Sequence, residues 1–285
     1  MNPIVTPFFH AATHTYSYVV ADPAGSAAAI IDPALDYDPA AARTATLFAD
    51  ALLAHVRDRK LALAWVLETH AHADHLSAAG YLCGQTGAKL GIGAGIVEVQ
   101  RHFGALFGLG DDFVPDGRDF DARFADGDRF ALGALEVRVL ATPGHTPDGL
   151  TYVIGDAAFV GDTLFPPDVG TARCDFPGGD AATLYRSLQR ILALPESTRL
   201  FHCHDYPPGA RAPRAESVIA EQRVQNPHLA GGTEAAFVAL RTARDRTLPV
   251  PTLLLPALQW NIRGGRAPPP DANGRAYLRL PLDAL

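Results

Sequence analysis

The chain has 285 residues, 48% of them hydrophobic and 19% charged, with a net charge of −7. That length can bury a substantial core, and the composition is that of a globular protein. The acidic balance argues against a nucleic-acid binder, because a phosphate backbone demands a basic surface; a local basic patch for a small anion stays open.

No run of about eighteen apolar residues occurs, so no transmembrane helix is expected. Residues 1–14, MNPIVTPFFHAATH, lack the basic start and apolar run of a secretory signal. Cys83, Cys174 and Cys203 are scattered and form no CxxC pair, which fits a reducing cytoplasm better than a disulfide framework.

In chain order, YSYVV (16–20) and AAAIID (27–32) read as two strands around a Gly-containing turn, closed by Asp32-Pro33. Residues 40–58 read as helix. LALAWVLETH (61–70) reads as a buried strand, and from Leu76 small and apolar residues recur at one-face helical spacing. AKLGIG (88–93) is the next strand and 94–107 the next helix, the rhythm of a layered α/β protein. Residues 111–128 carry seven aspartates among arginines and phenylalanines, which reads as a solvated loop whose Asp spacing misses the calcium-loop pattern. Residues 134–146 form a strand entering a Pro-Gly turn; 150–156 and 157–162 form two strands joined tightly. Asp180 can cap a helix on which Leu184, Leu188, Ile191 and Leu192 repeat. TRLFHCHDY (198–206) is the last core strand, and helices near 213–225 and 233–246 precede a Pro-rich tail.

The chemistry concentrates in ETHAHADHLSAAG, from Glu68 to Gly80. His70, His72, Asp74 and His75 fall within six positions. Protonated imidazoles this close repel one another, and a metal is the obvious reason to keep them together. His145 lies in the Pro-Gly turn, and Asp162 and His204 end later strands. Strand ends bring residues from distant sequence together, so seven N and O donors gathered this way can hold one metal or two.

The ordered set His70-x-His72-x-Asp74-His75, Gly144-His145, Gly161-Asp162 and His204 resembles the metallo-β-lactamase superfamily. The resemblance implies an α/β protein, an αββα sandwich with the metal site at one edge between two central sheets. It implies one such domain over 1–285, with a C-terminal helical and Pro-rich extension at about 210–285. TPGHT (142–146), GDTLFPPDVGTARCDFPGG (161–179), CHDY (203–206), NPHL (226–229) and the segment 268–285 are similar to the persulfide dioxygenase branch and its glyoxalase II relatives.

The two branches use the donors differently. Likeness to persulfide dioxygenases implies one Fe(II) per chain on His70, His145 and Asp162, two histidines and a carboxylate that leave open positions. His72, Asp74, His75 and His204 would then orient ligands and water around it. Likeness to glyoxalase II implies two metals, zinc or mixed iron and zinc. The first would sit on His70, His72 and His145, the second on Asp74, His75 and His204, with Asp162 bridging, for thioester hydrolysis. Spacing does not separate these options. The segment after Asp162, with Gly170, Arg173 and Asp175-Phe176, resembles the dioxygenases. The implied reaction turns glutathione persulfide, O₂ and water into glutathione and sulfite in sulfide detoxification, in a cytoplasmic homodimer. A non-catalytic, metal-stabilised binder of glutathione or sulfur species is a third reading.

An anionic glutathione carrier needs cations on this acidic protein. Arg173 is the leading carboxylate clamp, Arg211 a weaker candidate, and Tyr206 a hydrogen-bond donor to the reacting sulfur or oxygen. Animal-type enzymes place a cysteine a few residues before the arginine; here Pro167-Asp168-Val169-Gly170-Thr171 stands there and Cys174 follows instead, which leaves the role of Cys174 open. Cys83 reads as a core residue, and Cys203 is expected to face away from the site by strand alternation. GIGAG (91–95) fails the dinucleotide fingerprint because Ile96 follows. His10, His14, His55, His102, His202 and His228 read as structural.

Overall fold

The computed structural model describes residues 1–110, 113–230 and 232–284. The first half runs β1 (Ile4–His10), β2 (Thr15–Ala21), β3 (Ala27–Ile31), β4 (Ala34–Asp38), β5 (Arg43–Ala45), α1 (Leu47–Asp58), β6 (Ala62–Leu67), β7 (Leu76–Ser77), α2 (Ala79–Thr86), β8 (Lys89–Gly93), α3 (Ile96–Leu106) and β9 (Ala122–Phe124). The second runs β10 (Arg129–Leu132), β11 (Leu135–Ala141), β12 (Leu150–Ile154), β13 (Ala157–Phe159), α4 (Ala181–Leu192), β14 (Arg199–Phe201), β15 (Glu216–Val218), α5 (Ile219–Gln225), α6 (Glu234–Asp245) and α7 (Leu254–Asn261).

Two six-stranded sheets, ordered β1-β2-β3-β6-β8-β9 and β10-β11-β12-β13-β14-β15, make the two inner layers. Strand alternation explains why they face each other. Tyr16, Tyr18 and Val20 of β2 meet Leu150, Tyr152 and Ile154 of β12 in the core between the sheets. The intervening Val19 turns outward, into a second core with α1, α2, α3 and α7. Val153 turns outward on the other side, into a third core with Leu184, Leu188 and Ile191 of α4 and Phe237 of α6. The result is the expected αββα sandwich. Asp180 caps α4 by accepting from the Thr183 main-chain N–H at 2.7 Å, as its sequence position predicts.

Several local expectations fail for identifiable reasons. The helix expected over 40–58 begins only at Leu47, because the preceding residues form β4 and β5, a ribbon extended by β7. β7 likewise takes Leu76 and Ser77 out of the helix expected to start there. The aspartate-rich stretch is not wholly a solvated loop. Phe113, Phe120 and Phe124 are buried and β9 pairs in parallel with β8; Asp111 and Asp112 lie outside the described residues. β1, with Pro7 in an edge strand, was hidden by its weak alternation, and β15 takes the start of the helix expected over 213–225. The Pro-rich tail contains α7, whose Leu254, Ala257 and Leu258 join the core under the first sheet. Among the described residues no helix is long and apolar enough to cross a membrane.

Candidate metal centre and reaction cavity

The site forms where five strands end. Asp32 follows β3, residues 68–75 follow β6, His145 follows β11, Asp162 follows β13 and His204 follows β14. The loop carrying His70–His75 is held by main-chain contacts that the sequence did not advertise. The Asp32 carboxylate accepts from the Thr69 main-chain N–H at 2.7 Å and from Thr69 Oγ1 at 2.9 Å. Asp148 Oδ2 accepts from the Ala71 N–H at 2.7 Å. Asn261, at the end of α7, donates from Nδ2 to the carbonyls of His72 and His75, both at 2.8 Å. Its Oδ1 accepts from the Ser77 N–H, also at 2.8 Å.

Close approach also needs two glycines. Gly161 has φ +53° and a Cβ there would lie 2.6 Å from Thr69 Oγ1. Gly144 has φ +128°, and a Cβ would lie 2.3 Å from the Leu184 main-chain nitrogen, so the His145 turn can press onto the first turn of α4. The glycines of GIGAG serve packing: a Cβ at Gly93 would meet the Asp148 carbonyl at 2.1 Å.

The histidines are oriented one nitrogen at a time. His145 Nδ1 donates to the Arg173 carbonyl at 2.7 Å, turning Nε2 toward Asp162 Oδ2, 3.5 Å away. His70 Nδ1 faces Thr69 Oγ1 at 3.1 Å and its Nε2 lies 3.7 Å from the same Asp162 oxygen. His72 Nε2 sits between Asp32 (3.1 Å) and Glu68 (3.2 Å), which leaves Nδ1 facing inward. Thr15 Oγ1 lies 3.4 Å from both His75 Nδ1 and His204 Nδ1, and the His14 carbonyl accepts from the latter at 3.2 Å. His204 Nε2 then reaches Asp74 Oδ2 at 3.0 Å and Asp162 Oδ1 at 3.4 Å.

This arrangement leaves His70 Nε2, His72 Nδ1, His75 Nε2 and Asp162 Oδ1 buried without a hydrogen-bond partner, along with His204 Nε2, which only ion-pair contacts approach. Each unsatisfied buried group costs about 1–3 kcal/mol, and a cation bound by any of these lone pairs would remove that group's share of the cost. The protonation states of two rings, His70 and His75, agree. Burial, then the neighbouring His72 and His145 rings, hold His70 well below its ordinary pKa. Burial and His72 hold His75 near 3. Both rings are neutral and have lone pairs to give. Against burial, Cys203 and Asp32 beside His72, and Asp162 and Asp74 beside His204, push those two rings well above the ordinary value, so a cation there displaces a proton. Among the described residues, four groups have their ligand atoms within 4.8 Å of one another. Two are built of His and Asp alone, His70, His145 and Asp162 in one and His72, Asp74, His75 and His204 in the other, and the other two include Cys203.

A cavity of about 410 Å³ opens over this centre; Asp74, His145 and Asp162 line its floor and Phe165, Phe176 and Leu248 its apolar walls. Tyr206 stands on its wall, and its hydroxyl donates to Asp74 Oδ2 at 3.3 Å. Arg173 borders the same cavity, yet its guanidinium is already engaged. It grips Asp175 through Nε (2.6 Å) and an Nη (2.7 Å), donates to the Pro249 carbonyl at 2.6 Å and lies 4.9 Å over the Phe176 ring. Arg211 is outside the cavity lining, paired with Asp205 and Asp168.

Cys203 departs from its expected position. Regular strand geometry ends at Phe201, so alternation no longer applies, and the thiol gathers with Asp32 and His72 beneath the centre. Cys174 is buried, with its thiol pushed up to about 12 by burial and its N–H bonded to Asp245. Cys83 is partly buried against the first helical core. His202 and His228 are structural: His202 bonds the Leu164 carbonyl and Ser217, and His228 bonds Thr171. Asp32, Glu68, Asp148, Asn261 and Thr15 are the contributors that sequence reasoning missed. Only Asp32, in a left-handed conformation before Pro33, left a local trace.

A sequence profile described as the metallo-beta-lactamase superfamily matches residues 11–204. The chain is 56% identical over 99% of its length to the beta-lactamase hydrolase-like protein of Agrobacterium fabrum, and covers 65% of that relative. The first curated relatives it matches are thus longer, and the chain spans about two thirds of them. It is 47% identical to glyoxylase B2 of Dictyostelium discoideum, over 95% of this chain and 94% of that one. It is 30% identical to the mitochondrial persulfide dioxygenase ETHE1 of Mus musculus, over 94% and 91%. Among solved structures, ETHE1 from Myxococcus xanthus superposes with a TM-score of 0.74 at 31% identity, covering 92% of this chain and all of the other. With the HxHxDH loop, the later histidines and aspartate at strand ends and the sandwich around them, the chain belongs to the metallo-β-lactamase superfamily.

Proposed function

We propose that the chain is a mononuclear non-haem iron persulfide dioxygenase, converting glutathione persulfide, O₂ and water to glutathione and sulfite. The observation that carries the reading is the grouping of His70, His145 and Asp162, the last two of which reach the floor of a cavity with apolar walls. Similarity to the mouse persulfide dioxygenase along nearly the whole chain supports it. Fe(II) held by these three residues would supply the one-electron chemistry that O₂ requires, with positions left open for the reactants. The chain's own residues do the rest. The Arg173 carbonyl fixes the tautomer and aim of His145. Phe165, Phe176 and Leu248 give the cavity apolar walls beside the reacting groups, and Tyr206 offers a hydroxyl to the reacting sulfur or oxygen.

A second reading is a dinuclear thioester hydrolase of the glyoxalase II type. It is favoured by the unpartnered donors of the His72, Asp74, His75 and His204 group and by the name of the Dictyostelium relative. Metal analysis of anaerobically purified protein, together with O₂ uptake and sulfite release on glutathione persulfide, separates the two. About one iron per chain with uptake supports the dioxygenase. Two zinc ions per chain with S-lactoylglutathione hydrolysis and no uptake refutes it.

A further inference from the structure

We propose that Arg244, in the last turn of α6, is the carboxylate anchor of the cavity, gripping a carboxylate of a glutathione-type substrate. The inference deepens the reading above and rests on its glutathione-bearing substrate. α6 places Arg241 and Arg244 three residues apart, so both side chains face one way, and both line the cavity that ends at Asp162. They are not equivalent. Arg241 is 1% exposed, pairs with Asp245 and donates to the Thr171 carbonyl at 3.2 Å. It ties α6 to the cavity wall.

The other cations nearby are committed in the same way. Arg173 is held by Asp175 and the Pro249 carbonyl, and Arg211 by Asp168 and Asp205. A substrate carboxylate could use either one only by displacing a carboxylate that already occupies the guanidinium fork. Among the described residues, Arg244 has no carboxylate within ion-pair distance and its side chain makes no hydrogen bond; it is exposed at the cavity mouth. The floor and rim carry Asp74, Asp162 and Asp168, on a protein of net charge −7. An anionic ligand entering here needs a free, forked cation, and Arg244 is the cavity arginine with that fork open.

Calorimetric titration of the metal-loaded protein with S-methylglutathione and with its diethyl ester tests this, in wild type, Arg244→Ala and Arg244→Lys. Arg244→Ala is expected to weaken binding of the diacid about tenfold or more while leaving the diester unchanged; Arg244→Lys recovers part of the loss. An unchanged melting temperature serves as the fold control. Equal affinity of wild type and Arg244→Ala for the diacid overturns the anchor, as does an equal loss for diacid and diester, which would mark a packing role. Wild type that binds neither probe also overturns it, whatever its O₂ uptake. Arg244-dependent binding of the diacid without O₂ uptake on glutathione persulfide would support the anchor and refute the dioxygenase.

Discussion

Asn261 makes the C-terminal helix a fastener of the histidine loop. Its side chain is 5% exposed and makes three hydrogen bonds to the loop and to the start of β7: to the His72 and His75 carbonyls and from the Ser77 N–H, all at 2.8 Å. Replacing it with Ala strands two carbonyls and one N–H in the interior. At about 1 kcal/mol net per bond, the chelated protein should lose about 3 kcal/mol in denaturant unfolding. Because the carbonyls belong to two of the clustered histidines, the loop should also hold metal more weakly, by roughly ten- to a hundredfold. Asn261→Asp keeps the acceptor for Ser77 and loses both donors, so it should fall at least as far. A loss below about 0.5 kcal/mol in Asn261→Ala, with unchanged metal affinity in a competitive chelator titration, would refute the claim that α7 sets the geometry of the loop.

Other expectations follow from the same contacts. Gly144→Ala pushes a Cβ into the Leu184 backbone at a φ of +128° and should cost about 2–5 kcal/mol; a stable variant with intact metal binding would show that the turn can relax. Burial lowers His202 to about 4, against the Leu164 carbonyl bond that favours its proton. The unfolded chain, with an imidazole pKa near 6.5, therefore binds more protons between those values. The stability that neutral His202 contributes is fully present above about pH 6.5, is lost as pH falls through about 4, and is of order 3 kcal/mol. Unfolding free energies of chelated wild type and His202→Gln, measured from pH 7 to 4, should show a shallower slope in the variant; parallel slopes would remove His202 as a contributor. Asp162→Ala should lower metal content toward zero while far-ultraviolet circular dichroism is retained; full occupancy would shift the centre to the second donor group.

Local chemistry made much of this protein legible before any fold was seen. Imidazoles and a carboxylate spaced as in HAHADH declare a metal loop, because little else tolerates them together, and the alternation of apolar residues in YSYVV and LTYVI declares strands of a layered core. The Asp180 cap and the leucine spacing of α4 are equally local, since a helix start is set within its own first turn.

Other features depend on partners far along the chain. Cys203 reaches His72 because β14 stops pairing at Phe201, and the ribbon of β4, β5 and β7 exists because Ala34 and Leu35 find Ser77 and Leu76. Arg173 looked like a free clamp until Asp175 and Pro249 closed on it, and Arg244 had no motif to mark it. The donor types and their order were written in the sequence, since each residue carries its own lone pairs and charge. Which nitrogen faces inward and which arginine keeps an open fork were decided only by tertiary structure, because each depends on a hydrogen-bond partner that folding brings from elsewhere in the chain.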